Sequence, residues 1–226
     1  MNPDLPPGAS AAIEALVELA VSDPRSPTSP RSAERAREVH VADSLSGLEF
    51  AELSDESERI ADLGAGAGFP GLVLAAALPH ARVDSLESVG RKCSYLRRAI
   101  EAAGLSNAAV ICRRAEDWAA GEGREAYDAV TARAVGRLAT IAELASPLLR
   151  DGGALLAWKG RRDPEEEAEL ERGARRTAMQ HLKVRMVVPY PGSRDRHIHL
   201  LRKNGPTPEG LPRRPGMAAK RPFGTE

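Results

Sequence analysis

The feature that most constrains this chain is a glycine-rich stretch, RIADLGAGAGFPG, at residues 59–71. Residues 60–63 are expected to form a short buried strand with Asp62 near its end, and an apolar helix is expected to begin at Leu72. Between them the glycines allow positive φ and close approach of a ligand, and the helix start offers unpaired N–H groups. Strand, turn and helix therefore predict a cradle for a nucleotide-like ligand.

Part of this turn fits the fingerprint of a dinucleotide-binding site. The pattern G-x-G-x-x-G is met at Gly66, Gly68 and Gly71. Glu87 lies 21 residues after Gly66, about where an acid that binds a ribose belongs. This spacing indicates an NAD-type oxidoreductase as one candidate.

A second pattern in the same turn, acid-x-G-x-G-x-G, indicates S-adenosylmethionine instead. It is formed by Asp62, Gly64, Gly66 and Gly68. An acid directly before the glycines would repel a pyrophosphate, but it suits the cationic amino and sulfonium groups of S-adenosylmethionine. The loop favours this second ligand only modestly, and a purely structural turn stays open.

The charge of the chain is unevenly distributed, although its 226 residues have a net charge of zero. Residues 172–226 contain 13 basic and 3 acidic side chains, so this quarter carries +10 and the rest of the chain −10. Such an asymmetry indicates an anionic partner such as nucleic acid, while a merely solvated arginine-rich tail is the alternative.

The two cysteines and the N-terminal region indicate a cytoplasmic protein. Cys93 and Cys112 show no metal-ligand spacing, so no metal site is expected, and we interpret them as small packed apolar residues in a reducing compartment. The first apolar run is broken by Glu14 and Glu18, so neither a signal peptide nor a membrane span is predicted.

Alternating strands and helices predict an α/β fold with a mostly parallel, doubly wound sheet. A helix capped by Ser10 and a Pro/Ser linker at 22–32 precede a second helical stretch at 33–50. Further strands are expected at 82–86, 109–112, 127–132 and 154–158, helices at 91–103, 137–149 and 165–180, and a closing antiparallel pair at 182–188 and 197–203. We therefore divide the chain into an N-terminal helical segment (1–50), an α/β domain (51–203) and a basic tail (204–226).

The strand order places the candidate site residues at one edge of the sheet. Glu87 ends the second strand and would accept hydrogen bonds from ribose hydroxyls. Ala115 and Glu116 follow the third strand and would meet an adenine edge, although Glu116 alone would be interpreted as a surface acid. Arg133 ends the fourth strand.

The end of the fourth strand also limits the reaction. Its sequence, Thr131-Ala132-Arg133-Ala134, has neither the Asn/Asp-Pro-Pro-aromatic turn that aligns an exocyclic amine nor a cysteine nucleophile. Guanine N7 already carries an in-plane lone pair and needs only to be held in line with a sulfonium methyl. Catalysis by positioning is therefore predicted.

Six segments carry a resemblance to a known family: DLGAGAGFPGLVLA, LESVGRKCSYLRRAI, RAEDW, YDAVTARAV, PLLRDGGALLAWKG and LPRRPGMAAKRPF. From about Val39 to Phe223 the chain resembles the RsmG (GidB) family, S-adenosylmethionine-dependent guanine-N7 methyltransferases of small-subunit (16S) ribosomal RNA. The resemblance implies the class I, Rossmann-like methyltransferase fold. It also implies a cytoplasmic protein, expected to be a monomer without membrane contact, that acts on free rRNA or on the assembled small subunit.

The resemblance also implies site residues. Cofactor contacts are expected at Gly64, Phe69, Ala115, Glu116 and Arg133, with Glu87 as the ribose acid. Residues expected near the site mouth or positioning the target are His40, Asp43, Arg133 and Lys159. Those expected to face RNA are Lys159, Arg213, Arg214, Lys220 and Arg221. The chain departs from the family at 22–32, where a short proline-rich segment replaces Trp-Asn and Asn-Leu-Thr motifs. An NAD-type oxidoreductase and a non-catalytic RNA-binding protein remain the alternatives.

Overall fold

The chain folds around a seven-stranded sheet within residues 5–30, 32–54 and 57–225, which the computed structural model describes. Its strands are β1 Arg59–Leu63, β2 Arg82–Leu86, β3 Ala108–Ile111, β4 Tyr127–Arg133, β5 Leu149–Lys159, β6 Met179–Met186 and β7 His197–Lys203. Their order is β3-β2-β1-β4-β5-β7-β6, and β7 runs antiparallel to both of its neighbours. The predicted mostly parallel, doubly wound sheet with a closing antiparallel strand is confirmed.

Helices cover both faces of this sheet. They are α1 Ala9–Ser22, α2 Ala33–Ala36, α3 Asp43–Leu45, α4 Ala51–Ser54, α5 Gly71–Ala77, α6 Gly90–Ala102, α7 Ala115–Ala119, α8 Leu138–Ala145, α9 Pro164–Thr177 and α10 Met217–Lys220. None of the helices in the described ranges has the length and apolar character needed to cross a membrane.

Two apolar cores result, one on each face, because neighbouring strand residues point to opposite sides. Leu156 packs in the core formed with α1, α5 and α6, whereas Leu155 packs in the core beneath α8 and α9. The strand order reverses between β1 and β4, which flank the centre of the sheet. In such sheets ligands bind beyond the carboxyl ends of the strands at this point.

The largest error in the predicted elements concerns β5. It begins at Leu149 rather than Ala154, because Tyr127 pairs with Leu149 and, two residues later, Ala129 pairs with Ala154. Residues 150–153 thus form an irregularity inside the strand. The helix before β6 ends at Thr177, and β6 is accordingly Met179–Met186 instead of 182–188.

Helix α1 buries one apolar face, which includes Ile13, Leu16 and Val17. Its predicted cap is wrong: the N-cap is Gly8, at φ +84°, and Ser10 lies within the first turn. A left-handed residue at this position is inexpensive only for glycine. The linker that follows breaks the helix as predicted, although Arg31 within it lies outside the described residues.

The helical stretch predicted at 33–50 contains three kinds of helix. Ser32 caps α2 by accepting a hydrogen bond from the N–H of Arg35. A π-helical turn, Arg37–Ala42, then leads into α3, and a 3₁₀ turn, Ser46–Glu49, ends the stretch. π-turns are uncommon and often occur at functional sites. This one contains His40.

The interpretation of the two cysteines as separate packed residues is wrong. Cys93 in α6 and Cys112, directly after β3, form a disulfide with Cα atoms 5.8 Å apart. Because β2 and β3 are parallel neighbours, the start of α6 comes to lie beside the end of β3. The disulfide thereby joins the two segments that follow the second and third strands.

Candidate active site

The glycine loop between β1 and α5 has the conformation that its composition predicts. Gly64, Gly66 and Gly68 all have positive φ, from +56° to +89°. The N–H of Gly66 donates to Glu87 Oε2 at 3.2 Å, which ties the loop to the end of β2. Backbone at this sheet edge is therefore open to close approach by a ligand.

Glu87 lies at the centre of this edge and is only 6% exposed. Its Oε1 accepts hydrogen bonds from the N–H groups of Ser88 and Val89, at 2.8 and 2.9 Å, and Lys92 Nζ lies 3.7 Å from Oε2. A carboxylate offers about four acceptor positions, so the three backbone donors leave roughly one for a ligand hydroxyl. The carboxylate is thus held in place by the backbone while keeping acceptor capacity.

Asp62 lies behind the loop, and its expected cofactor contact stays a prediction. The side chain is buried and lines neither the mouth nor the inner cavity at this edge, and it accepts hydrogen bonds from Gly71 N (3.1 Å) and Thr131 Oγ1 (2.9 Å). Burial raises the pKa of this carboxyl to about 6, against the lowering effect of those two donors. The Asp62 side chain therefore holds the loop from the side away from the cavities. It also occupies the start of α5, where a pyrophosphate would otherwise bind the backbone N–H groups.

Two cavities meet at the loop and share Gly64. The mouth cavity, of about 690 Å³, is lined by residues that include Thr28, His40, Gly66, Phe69 and Arg133. The inner cavity, of about 190 Å³, is lined by residues that include Glu87, Ala115, Glu116, Val135 and Ala218. Cavities of this combined size are typical of small-molecule sites. A ligand that occupies both must pass over Gly64, where a Cβ would lie 3.0 Å from the Val135 side chain.

A cluster of four side chains forms the rim of the mouth cavity. Arg133 Nη1 donates to Asp43 Oδ2 at 2.9 Å, and its Nη2 lies 3.1 Å from His40 Nδ1. The His40 ring stacks on Phe69 with centroids 4.5 Å apart. The structure thus brings together the N-terminal helical stretch, the glycine loop and the end of β4. The expected position of His40 and Asp43 near the site mouth agrees with this geometry.

His40 is expected to stay neutral down to about pH 4. Burial, and to a lesser extent the neighbouring Arg133 charge, together lower its pKa to about 4. Because the unfolded chain would bind a proton near pH 6.5, the contribution of His40 to stability is present above that pH and is lost as the pH falls from about 6.5 to 4. An NMR titration of the His40 imidazole signals checks this. A His40 midpoint near 6.5 would contradict the geometry.

Lys159 does not project freely towards solvent. Its Nζ donates to Glu166 Oε1 at 2.7 Å and to the carbonyl of Gly136 at 2.9 Å. It lines a side recess of about 190 Å³ next to the mouth cavity, together with Arg133, Trp158 and Arg196. Its expected contact with RNA stays a prediction, and one that requires RNA to enter this recess.

The basic tail packs on the domain instead of extending from it. Arg213 donates two parallel hydrogen bonds to the buried Glu143 and lies over the Phe223 ring. This guanidinium is bonded within the fold, and its expected contact with RNA stays a prediction. Arg214, Lys220 and Arg221 remain exposed on the outer side.

Sequence reasoning missed several residues of the site. Thr28 Oγ1 bonds His40 Nε2, which draws the proline-rich segment onto the rim. Arg196, before β7, lines both the mouth cavity and the side recess. The N–H of Gly216 donates to Glu116 Oε1 at 2.8 Å. The sequence around Arg196 does not indicate that this side chain lines a cavity. The sequence around Gly216 does not indicate a bond to a residue 100 positions away.

The site fits S-adenosylmethionine better than a dinucleotide. Glu87, directly after β2, lines the inner cavity and is the acid expected to bind the ribose, and this cavity is bounded by the 115–116 segment expected to meet adenine. The N–H of Gly71, the third glycine of the dinucleotide pattern, is already bonded to Asp62. A pyrophosphate at this position would meet a carboxylate instead of a free donor.

Comparison with known proteins agrees with this fit. A family model described as rRNA small subunit methyltransferase G (GidB) matches residues 21–199. The ribosomal RNA small subunit methyltransferase G of Syntrophomonas wolfei is 38% identical over 188 residues, covering 82% of this chain and 86% of that protein. That of Rubrobacter xylanophilus is 42% identical over 189 residues, covering 81% and 72%. Fibrillarin from Aeropyrum pernix, solved with S-adenosyl-L-methionine, has a similar fold, with a TM-score of 0.53, 21% identity and coverage of 71% and 72%.

Proposed function

Because this chain belongs to the rRNA small subunit methyltransferase G family, we propose that it transfers a methyl group from S-adenosylmethionine to N7 of a guanine in small-subunit ribosomal RNA. The observation that carries this proposal is the joined pair of cavities, in which Glu87 faces one side of Gly64 and the Arg133–Asp43–His40–Phe69 rim lies on the other. One end holds a nucleoside, and the other is open to a polyanion.

The residues of the site would act by positioning. S-adenosylmethionine supplies an electrophilic methyl group on its sulfonium. Glu87 and the glycine loop would fix the nucleoside end, and the rim would limit how a base enters the mouth cavity. N7 of guanine carries no proton, so no side chain has to act as a general base. Correct alignment of reacting atoms can supply about 7–11 kcal/mol of a barrier.

The mouth cavity is lined by more basic than acidic side chains. Arg133 is paired with Asp43 and contacts the neutral His40, so these three groups cancel, but Arg35, Lys92 and Arg196 also line the cavity and make its lining positive. A positively charged mouth favours approach of a phosphate-bearing strand. The target guanine must leave its stack or lie in an exposed loop, because the mouth cavity cannot admit a paired helix.

Two alternative functions are less well supported. An NAD-type oxidoreductase needs the helix start that Asp62 occupies. A non-catalytic RNA-binding protein would have no use for a buried, backbone-oriented Glu87 beside an open cavity. We also propose that the protein works as a monomer in the cytoplasm, on rRNA or on the assembled small subunit.

Transfer of a labelled methyl group tests the proposed function. Small ribosomal subunits that lack the modification are incubated with the protein and labelled S-adenosylmethionine, and the rRNA is digested to nucleosides. Label in 7-methylguanosine is the expected result. Label on a different atom would overturn the N7 assignment, and a nicotinamide absorbance change without S-adenosylmethionine binding would favour the oxidoreductase.

The exposed basic residues of the tail give a separate prediction. Replacing Arg214, Lys220 and Arg221 by alanine is expected to weaken RNA binding and to reduce the slope of log K against log salt by up to about three, roughly one for each lost phosphate contact. Arg213 is left in place because its removal would strand the buried Glu143. Binding of rRNA at several salt concentrations measures the slope. An unchanged slope would show that RNA binds elsewhere.

A further inference from the structure

The end of the chain forms a strap across one side of the site. We define the C-terminal strap as residues 213–224. It is fastened at three points: Arg213 to Glu143, the carbonyl of Ala218 to Thr140 Oγ1 at 3.1 Å, and the carbonyl of Gly224 to Arg172 Nε at 2.8 Å. These partners lie on α8 and α9, so the strap is fixed to the same helices that cover β4 and β5.

The far end of the strap is closely packed. Phe223 is 7% exposed and lies between the guanidinium groups of Arg176 and Arg213, at 3.8 and 4.1 Å from its ring centroid. Gly173 of α9 permits this approach, because a Cβ there would lie 2.8 Å from the Phe223 carbonyl oxygen. The strap is therefore a packed part of the fold.

The middle of the strap borders the inner cavity. Gly216, Ala218 and Ala219 line it from one side, and Glu87 and Ala115 line it from the strand ends. Small residues at these three positions leave the volume open. Ala219 is exposed to solvent, so its side chain is not part of the apolar core.

The strap also fixes the acid of the inner cavity. Gly216 N–H donates to Glu116 Oε1 at 2.8 Å, across 100 residues of sequence. A carboxylate accepts hydrogen bonds at both oxygens, so this bond orients the group and leaves Oε2 for a donor within the cavity. The 6-amino group of adenine presents such a donor, whereas the O6 atom of a 6-oxo purine presents an acceptor at the same position.

From these contacts we propose that the C-terminal strap is a wall of the adenine-binding half of the site and that it sets selectivity for adenine by orienting Glu116. The proposal rests on the S-adenosylmethionine assignment made above. It gives the basic tail two faces, one against the nucleoside and one carrying Arg214, Lys220 and Arg221 towards solvent.

Titration of the full-length protein with S-adenosylhomocysteine, by calorimetry, tests the wall. Ala219→Phe places a large side chain at the cavity and is expected to raise Kd by roughly tenfold or more. Ala120→Phe makes the same change at an exposed alanine that does not line the cavity, and it is expected to leave Kd unchanged.

A second variant tests the strap without touching the cavity. Phe223→Ala removes the anchor at the far end and is expected to weaken S-adenosylhomocysteine binding several-fold, with faster amide exchange confined to the strap. Wild-type protein is also expected to have a lower Kd for S-adenosylhomocysteine than for its 6-oxo analogue. In the Phe223→Ala variant the ratio of these two Kd values is expected to be smaller.

The outcomes separate the two proposals. If the wild-type protein binds S-adenosylhomocysteine and both variants bind it equally well, the strap is not a wall of the site and the inference is overturned. If the wild-type protein does not bind it at all, the cofactor assignment fails and this inference fails with it. Weaker binding by both strap variants, with Ala120→Phe unchanged, supports the strap.

Discussion

Replacing Glu87 by alanine is expected to weaken S-adenosylmethionine binding by between about tenfold and a hundredfold. A hydrogen bond to a charged group contributes about 1.5–3 kcal/mol, and the carboxylate keeps roughly one acceptor position for a ribose hydroxyl. The same substitution also releases the loop, because Gly66 N–H loses its partner. Calorimetric titration of the cofactor measures the change.

Two further variants separate the ligand contact from the loop contact. Glu87→Gln keeps the size and one carbonyl acceptor, but its amide group must face a backbone N–H, so an intermediate loss is expected. Glu101→Ala changes an exposed glutamate on α6 and serves as the matched control. An unaltered dissociation constant for Glu87→Ala would place the ribose elsewhere.

Replacing Arg133 by methionine is expected to lower the free energy of unfolding by about 3 kcal/mol, the lower end of the range for breaking a buried ion pair. The Asp43 side chain is 5% exposed and Arg133 is 16% exposed, so the remaining carboxylate would be left in a poorly hydrated place. Arg133 also donates to the Val39 carbonyl, so the π-helical stretch loses a second contact with β4. Methyl transfer is expected to fall together with stability.

The double variant Asp43→Asn/Arg133→Met distinguishes charge from shape. Neutralising Asp43 removes the stranded charge, so the double variant is expected to regain much of the stability lost by Arg133→Met. Arg97→Met, at an exposed position on α6, controls for the loss of an arginine. Urea denaturation of the four proteins gives the comparison. Equal losses of unfolding free energy for Arg97→Met and Arg133→Met would show that the Arg133–Asp43 ion pair does not contribute to stability.

The central part of the site was predictable because its signals are local. The glycines of the turn and Glu87, the acid that follows the apolar strand β2, are placed at the carboxyl edge of the sheet by their order in the sequence alone. The burial of Asp62 behind the loop was not predictable, because a sequence pattern does not show on which side of a turn a carboxylate lies. Its bonds to Gly71 and Thr131 exist only once β1, α5 and β4 are assembled.

Other features depend on contacts between distant parts of the chain. The bond between Gly216 and Glu116 spans 100 residues, and nothing near either residue signals it. The charge of residues 172–226 indicated an anionic partner but did not show that Arg213 would be used by Glu143. The disulfide was missed because two cysteines without a motif are equally compatible with free thiols.

Because the helical stretch continues through the π-turn at Arg37–Ala42, the number of residues in it determines the direction in which the side chains after the turn point. Upstream, Arg37 is paired with Glu14 of α1, and downstream Asp43 is paired with Arg133 of β4. Each residue advances an α-helix by about 100°, and the wider turn sets the angle between these two docking points. A side chain in this stretch can be exchanged while the phase is kept. Removing a single residue would rotate the following residues by roughly 100°, so Asp43 would no longer face Arg133 while Arg37 stays paired with Glu14.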